Sequence, residues 1–285
     1  MPNLIDMKKL PLLTILYFAA QFCQAGGGWP QPKGGGYFKL GQNMILASTF
    51  YGPTGKVVDI TTIGLYTTSL YGEYGFTDRI TGIVYFPFFV RSTLNKIKFR
   101  QSGTVIPGDG FSSVGDSEIG VKYGVVTGKP IVVSASLILG LPLGKTSGGE
   151  SRILQTGDGE FNQMVRVDAS HSFYPKPIFT SVYVAFNNRT KNFSDEARFG
   201  LELGATLKKF TPIFKLNVVQ SLDNGGTAVA RNGVFSNNTE YFSPSVELNY
   251  EVTGHLGLSG SAAFAFSGQN ILAAPNWGVG AYLKL

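Results

Sequence analysis

The sequence predicts an all-β chain: an up-and-down antiparallel barrel of about twelve long strands. Three observations carry this reading. Apolar and polar residues alternate with period two, tight and long connections alternate along the chain, and charged residues are only 15% of the 285, against roughly 25% in soluble domains. Successive side chains of a strand point to opposite faces, so alternation gives each strand one apolar and one polar face.

The clearest strands lie mid-chain. Ile119, Val121, Tyr123 and Val125 alternate with Glu118, Gly120, Lys122 and Gly124. Ala197, Phe199, Leu201, Leu203, Ala205 and Leu207 alternate in the same way with Arg198, Gly200, Glu202, Gly204, Thr206 and Lys208. Helical spacing would bring Glu and Lys onto the apolar face. The same reading gives strands near 36–50, 58–76, 79–95, 113–127, 130–144, 158–173, 177–189, 195–208, 211–222, 241–252, 255–267 and 275–285. Most exceed the five or six residues usual in soluble sheets.

Five connections are tight: Thr77-Asp78, Thr127-Gly128-Lys129, Tyr174-Pro175-Lys176, Lys209-Phe210 and Thr253-Gly254. The six between them (51–57, 96–112, 145–157, 190–194, 223–240 and 268–274) are looser and carry clusters of Gly, Asn, Asp and Ser. All tight turns therefore share one end of the meander, and with an even strand count both termini join them. Outer-membrane barrels have this asymmetry, with short periplasmic turns and longer outer loops. A soluble β-sandwich would need a charge-rich polar face. A membrane barrel shows its apolar face to lipid and needs fewer charges, and closure removes edges that lipid cannot solvate. Tyr74, Phe76, Phe173, Tyr174, Phe210, Tyr250 and Trp277 fall where interfacial girdles belong. The Asn- and Gly-rich connection 223–240 reads as a mobile surface loop, with closure over the mouth as the alternative.

Lys8 and Lys9 precede an apolar run from Leu10 to Ala20, followed by Cys23-Gln24-Ala25. This is the layout of a cleaved secretory leader, too short to span a bilayer as a helix. The expected organisation is a signal peptide over 1–25, a Gly/Pro-rich segment over 26–35 carrying Trp29, and an outer-membrane barrel over 36–285. The segment either lies in the periplasm or enters the lumen as a short plug. Beyond the leader no run of about 18 apolar residues occurs, which excludes helical spans there. The 24 basic residues against 18 acidic ones are scattered, which argues against a nucleic-acid partner. The expected partners are outer-membrane lipid, a small-molecule solute and the outer-membrane assembly machinery. Trp277, Val279, Ala281, Leu283 and Leu285 alternate to the carboxyl end like that machinery's recognition signal, with Leu in place of the usual terminal aromatic.

Several segments in order carry a family likeness. They are Gly36-Tyr37-Phe38-Lys39-Leu40-Gly41, the run 70–79 (LYGEYGFTDR), the run 114–123 (VGDSEIGVKY), Gly140-Leu141-Pro142-Leu143-Gly144, and the run 156–163 (TGDGEFNQ). Together they resemble the transporter family of outer-membrane barrels named after the MetA pathway of phenol degradation, most like its Bacteroidetes members. The motifs are turns and strand starts. The resemblance implies passage of small, often hydrophobic compounds across the outer membrane and supplies no catalytic or binding residues.

Chemistry is sparse. Gly140 to Thr146 imitates a phosphate-binding loop, but only three residues separate its glycines and no helix follows. His171 and His255 both fall near tight turns, and His171 and Ser172, as strand neighbours, face opposite sides. No enzyme and no cofactor are expected. The charges on the polar face are the candidate lumen lining: Glu73, Glu118, Lys122, Arg166, Asp168, Arg198, Glu202, Lys215, Glu247 and Glu251. They read either as a self-compensating network filling a narrow lumen or as a transverse field that orients polar and amphipathic solutes. No preference for anions or cations is read from them. The expected function is passive passage of a small solute, hydrophobic or aromatic ones included. The alternatives are a non-conducting structural or docking barrel and, more remotely, an outer-leaflet lipid-modifying enzyme.

Overall fold

The computed structural model describes residues 27–98, 101–226 and 235–285. The leader read over 1–25, and the centre of the 223–240 connection, lie outside the described residues. Within them twelve strands form one closed antiparallel barrel. They are β1 (Gly36–Tyr51), β2 (Val57–Gly75), β3 (Ile80–Leu94), β4 (Ser117–Val126), β5 (Ile131–Leu141) and β6 (Asn162–Ser172). Then come β7 (Ile178–Arg189), β8 (Glu196–Ala205), β9 (Phe210–Ser221), β10 (Glu240–Glu251), β11 (Leu256–Ala263) and β12 (Asn276–Lys284). Each strand pairs with its neighbours in sequence, and β1 closes on β12 with Tyr37 opposite Lys284. Closure leaves no edge.

The period-two pattern sets the two faces. On β6, Arg166 and Asp168 point inward while Val165 and Val167 stand exposed outside. On β12, Trp277, Val279 and Leu283 form the outer face and Gly278, Gly280 and Tyr282 the inner one. The exposed outer residues form an apolar band around the barrel, as in barrels of the outer-membrane type. Phe210 and Tyr250 touch across β9 and β10 with ring centroids 4.9 Å apart, at the tight-turn end. Inside, glycines allow aromatic rings to lie flat on the wall. A Cβ at Gly200 would sit 2.0 Å from the Tyr183 ring, and one at Gly257 would sit 2.1 Å from that of Tyr282.

Several boundaries differ from the sequence expectation. The strand expected from 158 begins at Asn162, because the loop before it is held inward by Asp116 and Arg189, as described below. The strand expected to reach 267 stops at Ala263, and Ser267–Gln269 then pairs separately with Glu240–Phe242. The long connection after β3 carries strand pairings of its own. Ile97–Lys98 pairs with Val105–Ile106, and Asp109–Ser113 runs along Val90–Leu94, extending the wall. Between these pairings Phe86–Phe89 has no ladder partner on the β4 side. Pro87 has no N–H to give there, and its carbonyl accepts from Gly115 N at 2.8 Å.

Candidate functional site

The barrel interior holds a cavity of about 480 Å³. Of the ten charged residues picked out in the sequence, eight line it: Glu73, Glu118, Lys122, Arg166, Arg198, Glu202, Lys215 and Glu247. The other two stand beside lining residues. Asp168 grips Arg166, with Nε at 3.0 Å and Nη2 at 2.6 Å from its carboxylate, and Glu251 accepts from Lys284 at 3.3 Å.

Only Glu202 and Lys215 stand opposite each other in register; other pairs join inward residues two apart on one strand, as Arg166 with Asp168, or residues on strands that are not neighbours, as Lys39 with Glu247. Lys122 donates to Glu73 at 3.1 Å, both fully enclosed, and Glu73 also accepts from Tyr71 Oη at 2.6 Å and Gln31 Nε2 at 3.0 Å. Three donors offset the cost of burying that carboxylate. Lys39 and Lys215 share Glu247 at 3.1 and 3.0 Å, and Lys215 lies 3.8 Å from Glu202. Arg198 is held by Glu196 at 2.5 Å. Arg166 also lies 3.8 Å over the Tyr183 ring. Tyr37 stacks on Tyr282 at 5.6 Å, and Tyr71 meets Tyr37 edge-on at 6.4 Å. The lining therefore combines neutralised charges with aromatic faces.

Lys39, Lys284 and the four tyrosines were absent from the sequence selection. The alternation of Tyr37 and Lys39 with Phe38 and Leu40 was a usable signal, as was that of Tyr282 and Lys284 with Ala281 and Leu283. The lining tyrosines were hidden because a tyrosine suits either face.

Residues Gly27–Gly35 lie inside the tight-turn end, against one side of the wall. Gly28 N donates to Ser170 Oγ at 2.8 Å, Gln31 N to Thr81 Oγ1 at 2.8 Å, and Lys33 N to Asp78 Oδ1 at 3.0 Å. Trp29 packs edge-on to Phe179 at 6.2 Å. The cavity continues past this segment along the opposite wall, where Thr206, Thr211, Asn249 and Lys284 line it near the tight-turn rim.

At the long-loop end a second charge cluster fastens the loop before β6. Arg189 binds Asp158 at 2.8 Å, Glu160 at 2.6 Å and Glu196 at 2.8 Å, and its guanidinium lies 4.5 Å from the Phe193 ring centre. Asp116 accepts from Gly144 N at 2.8 Å and Asp158 N at 2.7 Å, so the motifs around 115 and 157 meet in space. Burial, aided by the Asp158 charge, pushes the Asp116 carboxyl up to about 6. Burial likewise raises that of Glu160, against the pull of Arg189. The two histidines do not converge with a nucleophile: Nδ1 of His171 lies 2.7 Å from Pro130 O, and that of His255 3.0 Å from Lys284 O. Among the described residues no cluster of His, Cys, Asp and Glu could hold a metal ion.

No protein-family profile matches the sequence, and no curated protein matches it. Solved structures do. An outer-membrane channel from Pseudomonas putida F1 superposes with a TM-score of 0.58 at 13% identity, covering 92% of this chain and 99% of that one. The translocator domain of the autotransporter NalP from Neisseria meningitidis gives 0.49 at 10% identity over 98% and 95% of the two chains. The Ralstonia pickettii toluene transporter TbuX gives 0.42 at 11% identity over 88% and 89%. The first likeness shows the fold: a β-barrel of the outer-membrane type. The other two are too loose to bear an argument.

Proposed function

We propose that the chain is an outer-membrane channel for passive passage of small solutes, hydrophobic and aromatic ones included. The carrying observation is the lumen cavity, with its mixture of neutralised charges and tyrosine faces, which runs beside the amino segment toward the tight-turn rim. In this reading the tight turns are periplasmic and the long loops face outward. A cleaved leader over 1–25 delivers the chain for Sec export. The ordered motifs that resemble the MetA-pathway transporter barrels, and the likeness to the Pseudomonas outer-membrane channel, support the reading. Swelling of liposomes bearing the refolded chain tests it: faster swelling in small uncharged aromatic alcohols than in empty liposomes is expected, and equal rates contradict it.

One observation favours a non-conducting structural barrel instead. The amino segment fills part of the lumen and is bonded to the side chains of Glu73, Asp78, Thr81 and Ser170 and to the backbone of Gly75. If swelling is absent with the whole chain and appears only when residues 27–35 are removed, the segment is a plug that must be released.

A further inference from the structure

The six basic side chains that line the cavity are each held by a carboxylate. The holders are Glu73, Asp168, Glu196, Glu247 (shared by two lysines) and Glu251, with Glu202 at longer range. Glu118 is a seventh acid. It lines the same cavity, yet among the described residues it makes neither an ion pair nor a hydrogen bond. The bases whose charge it feels, Arg198 and Arg166, are already engaged by Glu196 and Asp168. Across the wall Glu118 lies opposite Tyr85 on β3 and Gly140 on β5, neither of which brings a cation to it. The interior field is therefore balanced except for one carboxylate that faces the cavity.

We propose that Glu118 is the cation-recognising group of the lumen, and that the solutes preferred there carry an organic ammonium group. This rests on the channel reading and names its substrate class. An ionised carboxylate away from bulk water requires a counter-charge or hydrogen-bond donors, and an unpaired acid in a pore favours cations. Tyr71, which lines the same cavity and meets Tyr37 edge-on, suits the same ligand, because a ring face attracts a cation; Tyr37 and Tyr282 are stacked on each other, and Tyr183 already carries Arg166. A carboxylate-bearing solute gains less, since each lining guanidinium already faces a carboxylate whose charge offsets its own.

Two measurements test the assignment independently. In a planar bilayer under a steep KCl gradient, the reversal potential is expected on the potassium side. Glu118→Gln should bring it toward zero and Glu118→Asp should preserve it. A wild-type reversal at zero or on the chloride side overturns the proposal, as does an unchanged potential in Glu118→Gln. The second measurement is calorimetric titration in detergent with benzylamine and, separately, benzoate. Benzylamine is expected to bind more tightly than benzoate and to lose about tenfold in affinity in Glu118→Gln. Equal binding of the two probes, or benzylamine affinity unchanged by the substitution, overturns it. A bilayer without current overturns the channel reading, while the titration still decides the role of Glu118.

Discussion

At the scale of the residue, the barrel interior depends on small side chains placed under large ones. Gly200 leaves the wall bare so that Tyr183 can lie across it, carrying Arg166 on its outer face. Gly200→Val is expected to destabilise the barrel by about 1–3 kcal/mol through overpacking, read as a lower temperature of loss of heat-modifiable mobility on gels. A substitution that leaves that temperature unchanged would mean that Tyr183 does not rest there. Asp116 makes a pH prediction. Its folded carboxyl titrates near 6, above the usual carboxylate range. The contribution is therefore fully present below the unfolded pKa and is lost as pH rises through about 6. After correction for intrinsic rates, the amides of Gly144 and Asp158 should exchange more slowly with deuterium at pH 5 than at pH 7.5. Asp116→Asn should remove the difference. Residues such as Asp116 were not legible as a site, because a loop acid reveals its partner only once 116 and 158 are brought together.

At the scale of the element, strands were legible and their ends were not. The alternation in β4 and β8 identifies both faces because only a strand places residues two apart, such as Ile119 with Val121 and Phe199 with Leu201, on one side. The start of β6 was hidden, since Asp158 and Glu160 continue the polar spacing of the strand but are bound by Arg189. The ordering of Asp109–Ser113 against β3 was hidden too, its Gly and Ser content being that of a loop. Arg189→Ala should leave Asp158 and Glu160 facing each other without a cation, while Glu196 keeps Arg198. Breaking a buried ion-pair cluster by removing one partner costs about 3–5 kcal/mol. Here the expected loss is local: limited proteolysis should cut within 145–161 in the variant and not in the parent. Equal resistance of the two would show that Arg189 is not what holds the loop, leaving its bonds to Asp116 and Thr190.

At the scale of the whole molecule, alternating short and long connections determine the topology before any contact is known. Five tight turns at one end leave no arrangement but an up-and-down meander, and the low charge content directs its apolar face to lipid. Whether the lumen is clear was not legible. It depends on where Gly27–Gly35 settles, and that depends on Ser170, Thr81 and Glu73, strands away in sequence. The alternation also could not say which inward charges would be neutralised, because pairs such as Lys39 and Glu247 join opposite ends of the chain. The central claim is a lumen that conducts, and single-channel recording of the refolded chain in a planar bilayer tests it most directly. Discrete current steps that grow with salt concentration are predicted. A bilayer that stays silent over protein shown by circular dichroism to be folded β would contradict the account.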